Sequence, residues 1–243
     1  MQLKITKKDA FLNNFLSLLS KVADSAVIKG SKGKISSLLA TSDNTIVVNA
    51  TYLDDAVDSD FILNVPDLKK LFRVISCIEN DSIELELGPN FIGYNANNLR
   101  FKYHLYDDNI LTTPKINLEK LSTFEFDGEF TLPYASVVSL VKGSTISTES
   151  NKIYIGVKGT KVFGELTDKT RPNIDSYGIE ISQDYKGTQF ALAIPLNFEI
   201  FRIISSMRCK ELKSKLITKL GVITLDLDLD NTSFKFVISA LAN

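Results

Sequence analysis

Apolar and polar positions alternate with a period of two along most of the chain, the pattern of strands with one buried face. Ser82-Ile83-Glu84-Leu85-Glu86-Leu87 shows it clearly, as does the stretch from Val222 to Leu229. Four stretches instead follow the helical period. Residues 7–23 gather Phe11, Leu12, Phe15, Leu18, Leu19 and Val22 on one face, and residues 66–78 gather Leu68, Leu71, Phe72 and Ile75. Residues 133–146 carry Val137, Val138, Leu140 and Val141, and residues 195–210 carry Phe198, Phe201 and Ile204.

The last three helices share an entry: a short apolar strand (FILNV, EFTL, FALAI) runs into Pro66, Pro133 or Pro195. Proline is favoured at the first helical position, where a backbone donor would be unpaired anyway, so each helix is expected to open at its proline. The prolines stand 67 and 62 residues apart, and the first helix begins 59 residues before Pro66, which marks an internal repeat. Each repeat continues with about three strands. In the first they are SAVIKG, KISSLLAT and TIVVNATYL; in the second SIELEL, FIGYNAN and LRFKYHLY, with turns at Gly-Pro-Asn and Asn-Asn. In the fourth, KSKLITKL, VITLDLDL and SFKFVISA fit, although residues 209–219 could equally prolong the helix. The expected architecture is α+β: a strand, a helix and three strands, four times over.

Between the second and third repeats, Asp107 to Asn117 has no clear period and carries a proline among polar turn formers. It reads as a connector (108–118) between an N-terminal domain, 1–107, and a C-terminal domain, 119–243. Ile110, Leu111 and Ile116 make it unusually apolar for a spacer.

Composition adds two constraints. With 44% apolar residues the chain can fill a core, and polar residues break every apolar run well short of the ~18 needed to span a membrane. The N-terminal MQLKITKKDA lacks the apolar centre of a signal peptide, and Cys77 and Cys209 form neither a disulfide framework nor a zinc set. A reduced, intracellular protein is expected.

The net charge of −1 hides an asymmetry. The four helical windows hold ten cations: Lys7, Lys8, Lys21, Lys69, Lys70, Arg73, Lys142, Arg202, Arg208 and Lys210. Against them stand only Asp9, Asp67 and Glu199, so the windows net +7 and the remainder −8. Diffuse basic helices suit a protein that holds duplex DNA without reading its sequence, since counterion release is indifferent to sequence. Acidic strands would discourage DNA from the other faces. The alternative is that these are merely solvated helix faces.

Four tandem repeats, two per domain, with basic helices and a mid-chain connector, resemble the sliding clamps that act as DNA polymerase processivity factors. The runs FALAIPLNFEIFRIISS, CIENDSIELELGPN and SFKFVISALAN look like matching parts of that family. Length and Asn-rich character are most similar to the clamps of T-even-type tailed phages, with the eukaryotic and archaeal clamps, the proliferating cell nuclear antigens, close behind. The resemblance implies helices lining a ring around duplex DNA and sheets outside. It implies a homotrimer, because the ring needs six domains and this chain supplies two. It further implies an ATP-driven clamp loader, a tethered DNA polymerase, no membrane partner, no cofactor, and residence in the cytoplasm of an infected bacterium. Carried over by position, Lys21, Lys69, Lys70, Arg73, Lys142 and Arg202 would face DNA, with Arg73 and Arg202 the firmest. Edge strands at 100–106 and 176–182 would pair between subunits through Arg100, Lys102, His104 and Tyr106, and through Ser176, Gly178, Glu180 and Ser182. Partner peptides would dock at Ala40, Ile110, Leu111, Ala240 and Leu241. The chain lacks the acidic tail of the cellular clamps.

Catalytic chemistry finds little support. His104, the single histidine, sits in the alternating RFKYHLY strand with no nucleophile or carboxylate indicated beside it. Asp226, Asp228 and Asp230 begin like a calcium loop, but Asn231 replaces the required glycine and Val237 the closing glutamate, so they read as the wet face of a strand. Gly30 to Ile35 lacks phosphate-loop spacing and reads as a hairpin turn whose lysines could touch DNA. The competing class is a β-rich, self-assembling structural protein of a virion, whose helices would have no reason to be basic.

Overall fold

A computed structural model describes residues 1–96, 98–116, 123–146, 151–171 and 173–241. The chain forms two compact units. The first comprises Met1–Ser42, Val48–Lys115 and Leu229–Phe234; the second comprises Asp43–Val47, Ile116–Asp228 and Lys235–Asn243.

In the first unit, β1 (Gln2–Ile5) leads into α1, a helical run over 8–22 whose central turns, Phe11–Leu16, are wound as π-helix. Strands β2 (Ala26–Ser31), β3 (Lys34–Ala40) and β4 (Ile46–Leu53) follow. The second repeat is β5 (Phe61–Val65), α2 (Leu68–Ser76), β6 (Ile83–Leu87), β7 (Phe91–Ala96) and β8 (Leu99–His104). The two repeats exchange their first strands. β1 pairs antiparallel with β6, giving the sheet β1-β6-β7-β8, while β5 pairs with β2, giving the order β4-β3-β2-β5. Neither repeat can close its sheet without the other, so the unit folds as one body.

The second unit repeats the plan with β9 (Gly128–Pro133), α3 (Tyr134–Gly143), β10 (Lys152–Lys158), β11 (Lys161–Leu166) and β12 (Tyr177–Ser182). A short β13 (Lys186–Gly187) intervenes before β14 (Ile194–Asn197), α4 (Glu199–Ser205), β15 (Glu211–Ile217), β16 (Val222–Leu229) and β17 (Thr232–Ser239). First strands are again exchanged: β14 joins β12-β11-β10, and β9 joins β15. Strand, helix and three strands recur four times, as the periodicity implies.

The helix starts differ from the proline rule, and so does the last helix's extent. Pro66 lies one residue before the N-cap Asp67, Pro133 is itself the N-cap, and Pro195 belongs to β14. Each proline therefore ends a strand. Its fixed φ suits extended backbone as well as helix, and at Asp67 the carboxylate takes over the start by accepting the Lys70 N–H at 2.8 Å. The segment 190–193 of the expected FALAI strand is not extended. Residues 209–217, which the sequence leaves between helix and strand, include the strand β15 that pairs with β9 and β16.

Helices within each unit pack against each other and onto its strands. In the first unit Phe11 stacks on Phe15 (centroids 5.5 Å apart) and meets the edge of Tyr52 at 5.3 Å, and all three rings are buried. Each such side chain contributes about 1.5–3 kcal/mol of burial. The buried Asp54 carboxylate is satisfied by the Thr6 N–H at 2.7 Å, the Thr6 hydroxyl and the Ala56 N–H at 3.1 Å. Gly33, at φ +74°, turns the β2–β3 hairpin, and Gly143 lets the end of α3 lie flat on the Tyr177 ring of β12.

Candidate nucleic-acid interface

Local capping and packing place the cations of the first unit. Asp67 starts α2, and the burial of Leu68, Leu71 and Ile75 turns Lys69, Lys70 and Arg73 outward. Lys70 and Arg73 have no side-chain partner among the described residues, whereas Lys69 Nζ is 3.2 Å from Asp24 in a largely exposed pair worth little in water. Lys21 projects from the last turn of α1, where partial burial lowers its ammonium pKa below the ordinary lysine value. Because α1 and α2 pack together, these four cations belong to one helical layer.

Lys8 does not join them. It is 6% exposed, and its ammonium donates to the Ile78 carbonyl at 2.5 Å, tying the helix to the segment before β6. Lys7, Arg208 and Lys210 fall outside the helices. Within the four helices the count is therefore seven cations against two acids, Asp9 and Glu199. The basic bias survives with a smaller margin than the sequence windows indicate.

Arg202, the other firm candidate, is held internally by the second unit. One guanidinium nitrogen donates to Asn151 Oδ1 at 2.7 Å and to Glu199 Oε2 at 3.0 Å, and the group lies over the Phe198 ring at 4.9 Å. Asn151 in turn donates to Asn197, whose amide reaches Asp43 at 2.9 Å and Thr45 at 3.2 Å. Helical position alone shows that Arg202 stands off the core. Its capture requires the residue fifty-one positions upstream. Lys142, on the last turn of α3, is exposed with no side-chain partner among the described residues.

Strands β8 and β12 each end a sheet and leave one backbone edge unpaired in the chain. On β8, Arg100, Lys102 and His104 share the exposed face, with Lys102 over the Phe91 ring at 4.0 Å. Tyr106 lies past the strand, its N–H bonded to the Asn64 carbonyl. On β12, Gly178 is exposed and Glu180 half-buried; hydrogen bonds from Lys161 at 2.7 Å and from Gln183 hold the Glu180 carboxyl below the usual carboxylate range. Ser176 precedes the strand and is exposed, while Ser182 is buried with its hydroxyl bonded to Asp184, so Ser182 does not face outward.

Sequence reasoning missed one residue of this region, Tyr103. From β8 its hydroxyl donates to the Asp67 carbonyl at 2.7 Å and accepts the Asp67 N–H at 3.0 Å. The edge strand thereby grips the start of the basic helix α2. Burial pushes the phenol up to about 12. Asp67 before Leu-Lys-Lys was a readable capping signal, but nothing local pointed to Tyr103.

Among the peptide-docking candidates, Ala40 ends β3, Ile110 is exposed and Leu111 half-exposed in the connector, where residues 107–116 form neither helix nor strand. Asn117 and Leu118, the rest of the expected connector, lie outside the described residues. Beyond β17, Ala240 bonds to the Gly221 carbonyl and Leu241 to the Pro195 carbonyl. Among the described residues no group of three or more His, Cys, Asp or Glu is placed to hold a metal, and no helix is long and apolar enough to cross a membrane. Asp226 lies on the outer side of β16, 3.7 Å from Lys235.

No family sequence model matches the chain, and no curated protein matches it in sequence. In three dimensions the similarity is extensive. The chain superposes on the PCNA of A. fulgidus, solved bound to the C-terminal region of FEN-1, with a TM-score of 0.76 and 13% identity, covering 100% of this chain and 98% of that one. The proliferating cellular nuclear antigen of Entamoeba histolytica gives 0.75 at 14% identity, covering 99% and 98%. A DNA polymerase III beta subunit from Eubacterium rectale gives 0.76 at 10% identity; this chain is covered completely and spans 66% of that one. The fold is that of a sliding clamp. At such identities the clamp fold is kept by its pattern of buried positions and exchanged strands, which many side chains satisfy.

Proposed function

We propose that the chain is a DNA sliding clamp: a non-catalytic homotrimer, each chain with domains 1–107 and 119–243 joined by 108–118, that encircles duplex DNA and tethers a DNA polymerase after an ATP-driven loader has placed it. The observation that carries this reading is superposition of the whole chain on clamp structures, combined with helices whose cations outnumber their acids seven to two. A self-assembling shell protein needs no such bias. Lys21, Lys69, Lys70, Arg73 and Lys142 meet DNA phosphates; β8 and β12, as open edges, pair between subunits. The connector residues Ile110 and Leu111 and the chain end at Ala240 and Leu241, together with Ala40, receive partner peptides. The FEN-1 segment bound to the archaeal structure supports peptide docking as a property of this fold. Length and Asn-rich character support a clamp of tailed-phage type, working in the cytoplasm of an infected bacterium.

The test is primer extension on a primed circular template with a replicative polymerase and a loader. The protein should lengthen the products and stay on closed circles, yet leave linear DNA through its free ends. Unchanged product length, or tight binding to short linear duplex with preference for one sequence, would sink the reading.

A further inference from the structure

The two units present different helical surfaces. On the first, Lys21, Lys69, Lys70 and Arg73 project from the helices, and the one ion pair among them in the described residues, Lys69 with Asp24, is 63% and 88% exposed, open to displacement by a phosphate. Lys70 and Arg73 are three residues apart on α2, about 4.5 Å along the helix axis. That is close to the ~3.4 Å axial advance per phosphate on one DNA strand, so the pair can meet neighbouring phosphates together.

On the second unit, α3 and α4 supply only Lys142 and Arg202. Arg202 would have to give up Asn151 and Glu199 to reach a phosphate, and the Glu199 carboxylate beside it, 41% exposed, would repel the same phosphate. Other polar groups near these helix ends are hydroxyls. Ser144 donates to the Val141 carbonyl, Thr145 to Lys142, Ser205 to Arg202 and Ser206 to Ile203. Each has spent its single O–H on its own helix, leaving outward lone pairs that attract no phosphate.

We propose that each chain grips DNA through its first unit alone: Lys21, Lys69, Lys70 and Arg73 form the phosphate-binding surface, and the second unit's helices are an electrically quiet surface along which DNA passes with little hold. This rests on the clamp reading and assigns the load within it. In the trimer three gripping surfaces alternate with three quiet ones, so DNA is held toward one first unit at a time and transfers among equivalents.

Two double variants separate the halves, and both leave ordered backbone untouched: Lys70→Ala with Arg73→Ala, and Lys142→Ala with Arg202→Ala. Affinity for a short labelled duplex is measured by fluorescence anisotropy across a salt series, with circular dichroism and sedimentation confirming the folded oligomer. The first variant should lower the magnitude of the salt slope by about 0.9 for each phosphate it ceases to neutralise. The second should lower it by at most one such step, from Lys142. Equal reductions in the two variants, a larger reduction in the second, or none in the first overturns the inference. The unaltered protein's retention on closed circles against linear DNA is measured in parallel. Its failure would remove the clamp reading itself, whereas equal reductions with retention intact would remove only the division of load.

Discussion

Replacing Tyr103 with Phe tests whether the edge strand β8 stabilises the basic helix α2. The substitution keeps the buried ring and deletes one oxygen, which donates to the Asp67 carbonyl at 2.7 Å and accepts the Asp67 N–H at 3.0 Å. A hydrogen bond is worth about 1 kcal/mol net. Asp67 is half-buried, so water recovers part of the loss, and the expected cost is about 1–2 kcal/mol. For a chain of this size that is a Tm lower by roughly 2–8 °C. The assay is urea or thermal unfolding followed by circular dichroism at a single protein concentration, because trimer stability depends on concentration. A pH series isolates the mechanism. The Tyr103 hydroxyl is pushed up from 10.0 to about 12, chiefly by burial. A pKa raised on folding means that the neutral form stabilises the fold. That contribution is complete below about pH 10 and is lost as pH rises through about 12. The stability gap between the normal protein and Tyr103→Phe should therefore hold steady to about pH 10 and then narrow. Equal stability at neutral pH would refute the clasp, and a gap that widened above pH 10 would refute its hydrogen-bonding basis.

Sedimentation equilibrium over a range of concentrations should settle at three times the 27.0 kDa chain mass, and a limiting dimer or a persistent monomer would contradict pairing through β8 and β12. Changing Ile110 and Leu111 together to Ser should abolish polymerase stimulation while leaving the trimer intact, since both sit in the connector away from regular structure. Survival of full stimulation would place peptide docking elsewhere.

Much of the fold follows from short-range pattern. Alternation over six to eight residues defines a strand with one wet face, and the spacing of Phe11, Phe15, Leu18 and Val22 defines a helix, because each period is a property of local backbone geometry. Recurrence of that pattern every sixty or so residues reveals the four repeats. The proline rule misleads at the helix starts for a related reason. A fixed φ near −65° is compatible with both the end of a strand and the start of a helix, and the decision at Asp67 rests on a carboxylate reaching the Lys70 N–H.

By itself, then, the sequence determined the elements, their order, their repetition and the excess of cations on the helices, all of which depend on neighbours within a few residues. Tertiary structure decided which strand closes which sheet, pairing β1 with β6 and β5 with β2 across some eighty and forty residues of chain. It also decided which cations remain available. Lys8 is drawn inward by the Ile78 carbonyl and Arg202 is neutralised by Glu199 and Asn151, while Lys70 and Arg73 keep no side-chain partner among the described residues. A side chain's availability to a ligand is what remains after its competition for partners, and those partners are brought within about 3 Å, the hydrogen-bonding distance, only when distant segments fold together.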